Sequence, residues 1–194
     1  QGFIVGPQTS EGLKDAFGAS AVATEGLEYE ASLLDNLEPG GTDAAAAALM
    51  RDTLTAMAHE CPRAVIVAGG YSQGAAVNHR AIEALPPAVQ DRIAGVVLYG
   101  DTQAREDGGR IPGFPPQKVM VICQRGDLVC RGVPLVLPFH LTYGTRVDEG
   151  VAFLVRKIKD AQAGDGTEEA VFVVEEEVDG LDDGVEKIAV ALVA

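Results

Sequence analysis

The chain has 194 residues, of which 47% are hydrophobic, and a formal net charge of -14 at pH 7. This length fits one domain of ordinary size with an apolar core. The negative charge argues against nucleic acid as a partner, because phosphates repel such a surface. No run approaches the roughly 18 uncharged apolar residues of a membrane-spanning helix, so we expect no membrane span.

The predicted elements alternate between helices and strands. In chain order they are a helix at 12–17, a strand at 21–24, a helix at 44–60, a strand at 64–68, a helix at 75–85, strands at 93–99 and 119–123, a helix at 147–161, and strand-like runs at 170–178 and 186–193. Ser10 and Thr42 are the predicted caps of the first two helices. The short continuous apolar strands are typical of strands buried on both faces, so we expect an α/β fold with a parallel sheet covered on both sides.

The C-terminal end carries most of the negative charge. Residues 160–194 hold 11 acidic residues and one basic residue (net -10), whereas residues 1–159 hold 18 acidic and 14 basic residues (net -4). The change in net charge along the chain falls near the stretch AGDG, which is typical of a linker. We therefore expect a main domain over 1–162 and an acidic linker with two strand-like runs over 163–194. The run EEEVDGLDDG lacks the ligand spacing of a calcium loop, which favours a solvated surface.

A glycine-rich turn at 69–74 contains the motif GYSQG, of the form G-x-S-x-G, between a predicted buried strand and a predicted helix. In this context the motif indicates a nucleophilic Ser72 on a strained turn. The backbone N–H of Gln73 then faces the oxyanion that develops in the reaction. An ordinary glycine turn before a helix is the alternative interpretation.

A serine nucleophile needs a base, and the chain order in this fold is serine, acid, histidine. His59 precedes Ser72, and His79 lies about two turns into the helix that follows it. His140, in the loop PFHLTYG after the last predicted strand of the pattern, is therefore the predicted base. A solvated loop histidine is the alternative.

Asp127, in CQRGDLVC after the strand 119–123, is the predicted acid. Asp101 is the competitor, but the strand that it follows, 93–99, comes one strand too early in the chain, and a simple turn role for Asp127 beside Gly126 stays open. Cys123 and Cys130 are close enough in sequence to close a small loop around Asp127, which would fix its carboxylate. The third cysteine, Cys61, is left without a partner.

Five segments in order, AGGYSQGAAV, IAGVVLYGDTQ, GRIPGFP, GDLVCRG and PFHLTYG, resemble the fungal cutinase family over roughly residues 6–160. The separations of 55 residues from Ser72 to Asp127 and 13 from Asp127 to His140 also resemble that family. The resemblance implies an α/β-hydrolase three-layer sandwich with a mainly parallel sheet and a shallow, uncovered site. It also implies a secreted serine esterase, acting as a monomer on cutin-type or other lipophilic esters without a metal or organic cofactor.

The resemblance assigns roles residue by residue. It implies a triad of Ser72, Asp127 and His140, an oxyanion donor at Gln73, site-lining residues at Leu33, Tyr71, Val136 and Leu141, a supporting asparagine at Asn36, and a disulfide between Cys123 and Cys130.

The N-terminal end departs from the family pattern. Nothing before Gly6 resembles the family's first strand and the Arg-Gly loop that supplies a second oxyanion donor, and the expected partner of Cys61 is missing with them. The chain also starts at Gln1 without an initiator Met or signal peptide, which indicates a processed product or a fragment. We therefore expect weak esterase activity and a free, buried Cys61. An impaired or non-catalytic cutinase-like protein is the first alternative, and an acetylxylan esterase the second.

The last eight residues, Lys187–Ala194, resemble the family's first strand. Either the chain is a circular permutation with 163–185 as the new connection, or the tail is an unrelated extension. In both cases its apolar runs are poorly suited to solvent. We therefore predict that Lys187–Ala194 forms a strand inside the main sheet.

Overall fold

The computed structural model describes residues 4–27, 38–165 and 187–193. Its α-helices are α1 Gly6–Phe17, α2 Ala44–Glu60, α3 Gln73–Glu83, α4 Pro87–Arg92 and α5 Val147–Asp165. Its strands are β1 Val22–Gly26, β2 Val65–Tyr71, β3 Ile93–Tyr99, β4 Val119–Ile122 and β5 Ile188–Val193, and short 3-10 helices cover Pro116–Lys118, Val129–Arg131, Pro138–Leu141 and Tyr143–Arg146. The described strands form one sheet in the order β1-β5-β2-β3-β4, and all neighbouring strands are parallel.

Helices cover both faces of this sheet. Leu54 of α2 and Ile66 of β2 belong to one apolar cluster, together with residues of α3 and α4. Val67, the next residue of β2, belongs to the cluster on the other face, with Leu154 of α5 and residues of α1. Because successive side chains of a strand point to opposite faces, β2 is apolar throughout. The predicted three-layer α/β fold with a parallel sheet is confirmed.

Strand β5 lies inside the sheet, between β1 and β2. Its register pairs Ile188 with Val22 on one side and Val193 with Gly70 on the other. The carboxyl end of β5 is therefore beside the end of β2 that leads to Ser72. The predicted strand at the chain's end is confirmed for the residues of β5, whereas the strand-like run 170–178 lies outside the described residues.

The predicted helix caps are wrong. The first helix begins at Gly6, with Pro7 in its first turn, so Ser10 lies inside it and its hydroxyl contacts the Thr24 hydroxyl at 2.8 Å instead. Proline suits a first helical turn because its φ is preset and it has no N–H to satisfy there. The cap of α2 is Asp43, whose carboxylate accepts from the Ala46 N–H at 3.3 Å.

Two predicted boundaries also shift. Helix α5 continues through Asp165, so most of the stretch AGDG is helical where a linker was predicted. Gly69 and Gly70 lie within β2, not in a turn, and the sharp change of direction occurs at Ser72 alone.

Candidate active site

Ser72 occupies the junction between β2 and α3. It has φ 55° and ψ -119°, and it is the single non-glycine residue with positive φ in the described part of the chain. A Cβ at Gly70 would collide with the Gly74 carbonyl oxygen and lie 2.6 Å from Asn78 Nδ2, so this close approach requires glycine. The same Asn78 amide donates to the carbonyls of Gly69 (3.1 Å) and Gly74 (2.8 Å) and ties the turn together. The strained backbone lifts the Ser72 hydroxyl above the carboxyl end of the sheet.

Three predicted residues form a continuous hydrogen-bonded array. The Ser72 hydroxyl donates to His140 Nε2 at 2.8 Å, and His140 Nδ1 donates to Asp127 Oδ2 at 2.8 Å. Asp127 and His140 are 1% and 2% exposed, whereas Ser72 is partly open to solvent. The other carboxylate oxygen, Asp127 Oδ1, accepts from the Val129 N–H at 3.0 Å. In this geometry the imidazole can remove the serine proton, and the carboxylate holds the ring in the tautomer required.

Tyr143 is a contributor that the sequence reasoning missed. Its hydroxyl donates to Asp127 Oδ2 at 2.7 Å and accepts from the Gln124 N–H at 2.8 Å. The side chain is fully buried, and burial together with the hydrogen bond to Asp127 raises the Tyr143 pKa well above its ordinary value. The phenol therefore stays protonated and acts as a permanent donor to the carboxylate.

Tyr71 was predicted to line the substrate site, but its polar contact is with the array. Its hydroxyl donates to the His140 carbonyl at 2.6 Å, and its ring stacks on the imidazole with centroids 5.1 Å apart. Burial, with a smaller effect of the Asp127 charge, raises the pKa of Tyr71 to about 12. Tyr71 thus fixes the backbone and the ring of His140.

A disulfide joins Cys123 to Cys130 on either side of Asp127. The pairing implied by the family resemblance is therefore present. Cys61 is free, as expected, but it is exposed and not buried. It follows the last residue of α2, where the chain leaves the helix and enters a surface turn.

A cleft of about 520 Å³ opens beside Ser72. The residues that line it fall into an apolar group, Val129, Gly132, Val133, Pro134 and Val136, and a polar group, Thr102, Gln103, Arg105 and Glu106, which we call the polar wall. Val136, predicted to line the substrate site, lines this cleft, and its contact with substrate stays a prediction. Leu141 is 57% exposed next to His140, and Leu33 and Asn36 lie outside the described residues.

Gln73, the predicted oxyanion donor, is the first residue of α3. Its backbone N–H therefore belongs to the first turn of the helix, where N–H groups point out of the N-terminus and favour negative charge. The position directly after Ser72 suits a donor to an oxyanion formed on the ester carbonyl.

The rejected candidates pair elsewhere. Asp101 and His79 are both fully buried and bond to each other, with Asp101 Oδ2 3.1 Å from His79 Nε2, so neither residue contacts the array. His59 is exposed at the end of α2.

Among the described residues no group of three or more His, Cys, Asp or Glu side chains is arranged to hold a metal ion. No helix in the described ranges is long and apolar enough to cross a bilayer.

Comparisons with known proteins bear on the family and fold of the chain. The family model named Cutinase matches residues 2–158. Cutinase CUT2 of Pyricularia oryzae is 46% identical over 153 residues, which cover 79% of this chain and 72% of that protein. Cutinase 3 of Emericella nidulans is 41% identical over 162 residues, 81% of this chain and 72% of that protein.

The solved structure of Trichoderma reesei cutinase in complex with a C11Y4 phosphonate inhibitor also matches. It has a TM-score of 0.72 and 33% identity, and the match covers 81% of this chain and 69% of that chain. The α/β-hydrolase fold is thereby confirmed. The chain belongs to the cutinase family of carboxylic ester hydrolases.

Proposed function

We propose that the protein hydrolyses cutin-type and other lipophilic esters through an acyl-enzyme on Ser72. The observation that carries this proposal is the pair of 2.8 Å hydrogen bonds that join Ser72 to His140 and His140 to Asp127. The half-exposed apolar side chains beside the array, Val133, Val136 and Leu141, support a substrate that is itself apolar.

In the proposed mechanism Ser72 Oγ attacks the ester carbonyl while His140 Nε2 takes the serine proton. The Gln73 N–H stabilises the negative charge on the former carbonyl oxygen. His140 then gives its proton to the leaving alcohol, which departs and leaves the acyl group on Ser72. His140 then takes a proton from water, which attacks the acyl-enzyme, and returns that proton to Ser72 Oγ as the acid departs. Asp127 accepts from His140 Nδ1 and stabilises the imidazolium each time it forms.

We also propose that the enzyme is secreted and acts as a monomer. A disulfide such as Cys123–Cys130 forms and persists in oxidising surroundings, which supports an extracellular site of action. Ser72, Asp127 and His140 come from the same chain, so the array needs no second copy. Sedimentation of the purified protein at several concentrations tests the monomer.

The experiment that tests the function measures hydrolysis of p-nitrophenyl butyrate, with labelling by a serine-directed alkyl phosphonate. Ser72→Ala should abolish both turnover and labelling. The matched control is Ser20→Ala at an exposed serine, which should behave like the wild type. Turnover retained in Ser72→Ala, or a label on another residue, would sink the assignment. Release of acetate from acetylated xylan, measured in parallel, separates the acetylxylan esterase alternative.

A further inference from the structure

A buried charged cluster outside the catalytic array joins α3 to the segment that follows β3. We call His79, Arg80, Asp101 and Asp107 the His79 cluster. His79 Nε2 lies 3.1 Å from Asp101 Oδ2, and His79 Nδ1 lies 2.7 Å from Asp107 Oδ2. Arg80 also donates to Asp107 Oδ2. The side chains of His79 and Asp101 are fully buried, and that of Asp107 is 10% exposed.

The chemistry of this cluster makes it a firm connection. Each ring nitrogen of His79 lies within hydrogen-bonding distance of a carboxylate oxygen, so the imidazole bridges Asp101 and Asp107. Arg80 contacts the same oxygen of Asp107. A buried carboxylate without a partner is strongly unfavourable, so the contact with His79 favours the observed position of Asp101.

The segment held in this way forms the polar wall of the cleft. Asp101 Oδ1 accepts from the Gln103 N–H at 2.8 Å, and the Gln103 carbonyl accepts from the Asp107 N–H at 2.9 Å. Gln103 and Thr102 line the cleft beside Ser72. Their side-chain oxygens are buried without a hydrogen-bond partner among the described residues, so these two oxygens do not hold the wall in place.

The cluster also connects this wall to the nucleophile. Helix α3 starts directly after Ser72 and carries His79 about two turns further along. The side chain of His79 therefore connects the helix that follows the nucleophile to Asp101, directly before the wall that lines the cleft with Ser72. A Cβ at Gly41 would collide with the Gln103 amide, so Gln103 also packs closely against Gly41.

We propose that His79 is a positioning residue that acts through Asp101 to hold the wall formed by residues 102–106 at its distance from Ser72. This wall sets how tightly the enzyme binds the part of an ester that extends from Ser72 into the cleft. The proposal rests on the proposed function of Ser72. His79 itself is fully buried and touches no substrate.

A displaced wall has a specific kinetic signature. A short acyl chain stays near Ser72, whereas a longer chain runs along the cleft and meets the wall. His79→Gln removes the ring whose two nitrogens reach Asp101 and Asp107. We expect KM for p-nitrophenyl octanoate to rise about fivefold with kcat nearly unchanged, as when uniform binding is lost. For p-nitrophenyl acetate we expect kcat/KM to stay within about twofold of the wild type.

The matched control is His59→Gln, which makes the same substitution at an exposed histidine and should leave both esters unaffected. Asp101→Asn keeps the size of the side chain and provides a second test if His79→Gln fails to fold. Circular dichroism and thermal melting establish that each variant is folded. Because His79 acts through Asp101, the double variant should raise KM for octanoate no more than the larger single effect, since residues in one network are not additive.

The outcomes separate clearly. A KM increase that is confined to the longer ester and non-additive between His79 and Asp101 supports the proposal. Folded variants with unchanged KM for octanoate, or with the same loss on acetate and octanoate, overturn it. Phosphonate labelling of Ser72 tests the proposed function separately. A failure of the proposed function can therefore be told apart from a failure of the proposal about His79.

Discussion

At the scale of single residues, the Tyr143 hydroxyl holds the carboxylate that orients His140. Tyr143→Phe removes the donor to Asp127 Oδ2 and leaves the ring in place. A hydrogen bond to a charged group contributes about 1.5 kcal/mol. If that contribution is realised in the transition state, kcat should fall about tenfold. KM should be unchanged, because Tyr143 does not line the cleft. Steady-state kinetics with p-nitrophenyl butyrate measure kcat and KM separately.

Tyr99→Phe is the control for this prediction. Tyr99 is also buried, but its hydroxyl contacts, to Thr9 and to the Val147 carbonyl, are both 3.4 Å long and none reaches Asp127. We expect its kcat to match the wild type. Equal losses of kcat in the two variants would mean that packing, and not the bond to Asp127, is responsible.

Buried phenols also make stability depend on alkaline pH. Burial raises the pKa of both Tyr71 and Tyr99 to about 12, whereas a tyrosine in an unfolded chain titrates near pH 10. Between about pH 10 and 12 the native state therefore binds more protons than the unfolded state, and the free energy of unfolding falls as pH rises. The contribution is complete below pH 10.

Urea unfolding at pH 9, 10 and 11 should show this fall, and tyrosinate absorbance should report ionisation on unfolding. Tyr71→Phe and Tyr99→Phe should each make the fall shallower, because each removes one group that titrates differently in the two states. An unchanged slope in both variants would contradict the assignment.

At the scale of elements, the disulfide closes the loop that presents Asp127. Replacing Cys123 and Cys130 together by serine frees this loop, whose closing cysteines are seven positions apart. Closure of a loop of this size contributes about 2.5 kcal/mol in the chain-entropy treatment. Turnover should fall by more than the loss of folded protein explains, because Asp127 loses its fixed position. Thermal melting and butyrate turnover test this, and Cys61→Ser, at the exposed free thiol, should change neither.

Strands were more predictable than helix caps, for a physical reason. The run Ile93–Tyr99 was predicted with its observed bounds, because a strand buried on both faces is marked by every one of its residues. A cap depends on the backbone angles of one residue. Thr42 and Asp43 are both acceptable cap residues by type, and Asp43 is the one with extended angles, φ -63° and ψ 136°, and an acceptor in reach of the Ala46 N–H.

The candidate site was predictable only where chain order carries information. The order of serine, acid and histidine favoured Asp127 over Asp101, and in the structure it is Asp127 that contacts His140. Their catalytic roles stay a prediction until Ser72→Ala is measured. Nothing in local spacing indicates that Tyr143 reaches back across 16 residues to Asp127. That contact depends on the tertiary position of the 3-10 helix that begins at Tyr143.

At the scale of the whole molecule, β5 connects two parts of the sheet that are not otherwise paired. It is hydrogen-bonded to β1 on one side and to β2 on the other. Its side chains enter both apolar clusters, with Ala189 and Ala191 on one face and Val190 and Leu192 on the other. Removing β5 would leave β1 and β2 with unpaired edges and apolar surface exposed. Deletion of residues 187–194 should therefore give an aggregating, inactive chain.

A single substitution tests the same dependence more sharply. Val190 is fully buried and lies between Thr24 of β1 and Val67 of β2. Val190→Asp places a carboxylate there without a partner, at a cost of more than about 4 kcal/mol. Since a domain is stable by only about 5–15 kcal/mol, most of the stability, and the turnover of butyrate with it, should be lost. Lys187→Gln, at the exposed residue just before β5, is the control and should melt like the wild type. A Val190→Asp protein with wild-type melting and turnover would mean that β5 does not lie inside the sheet in solution, and Ser72 would then have to be held in place by β2, β3 and β4 alone.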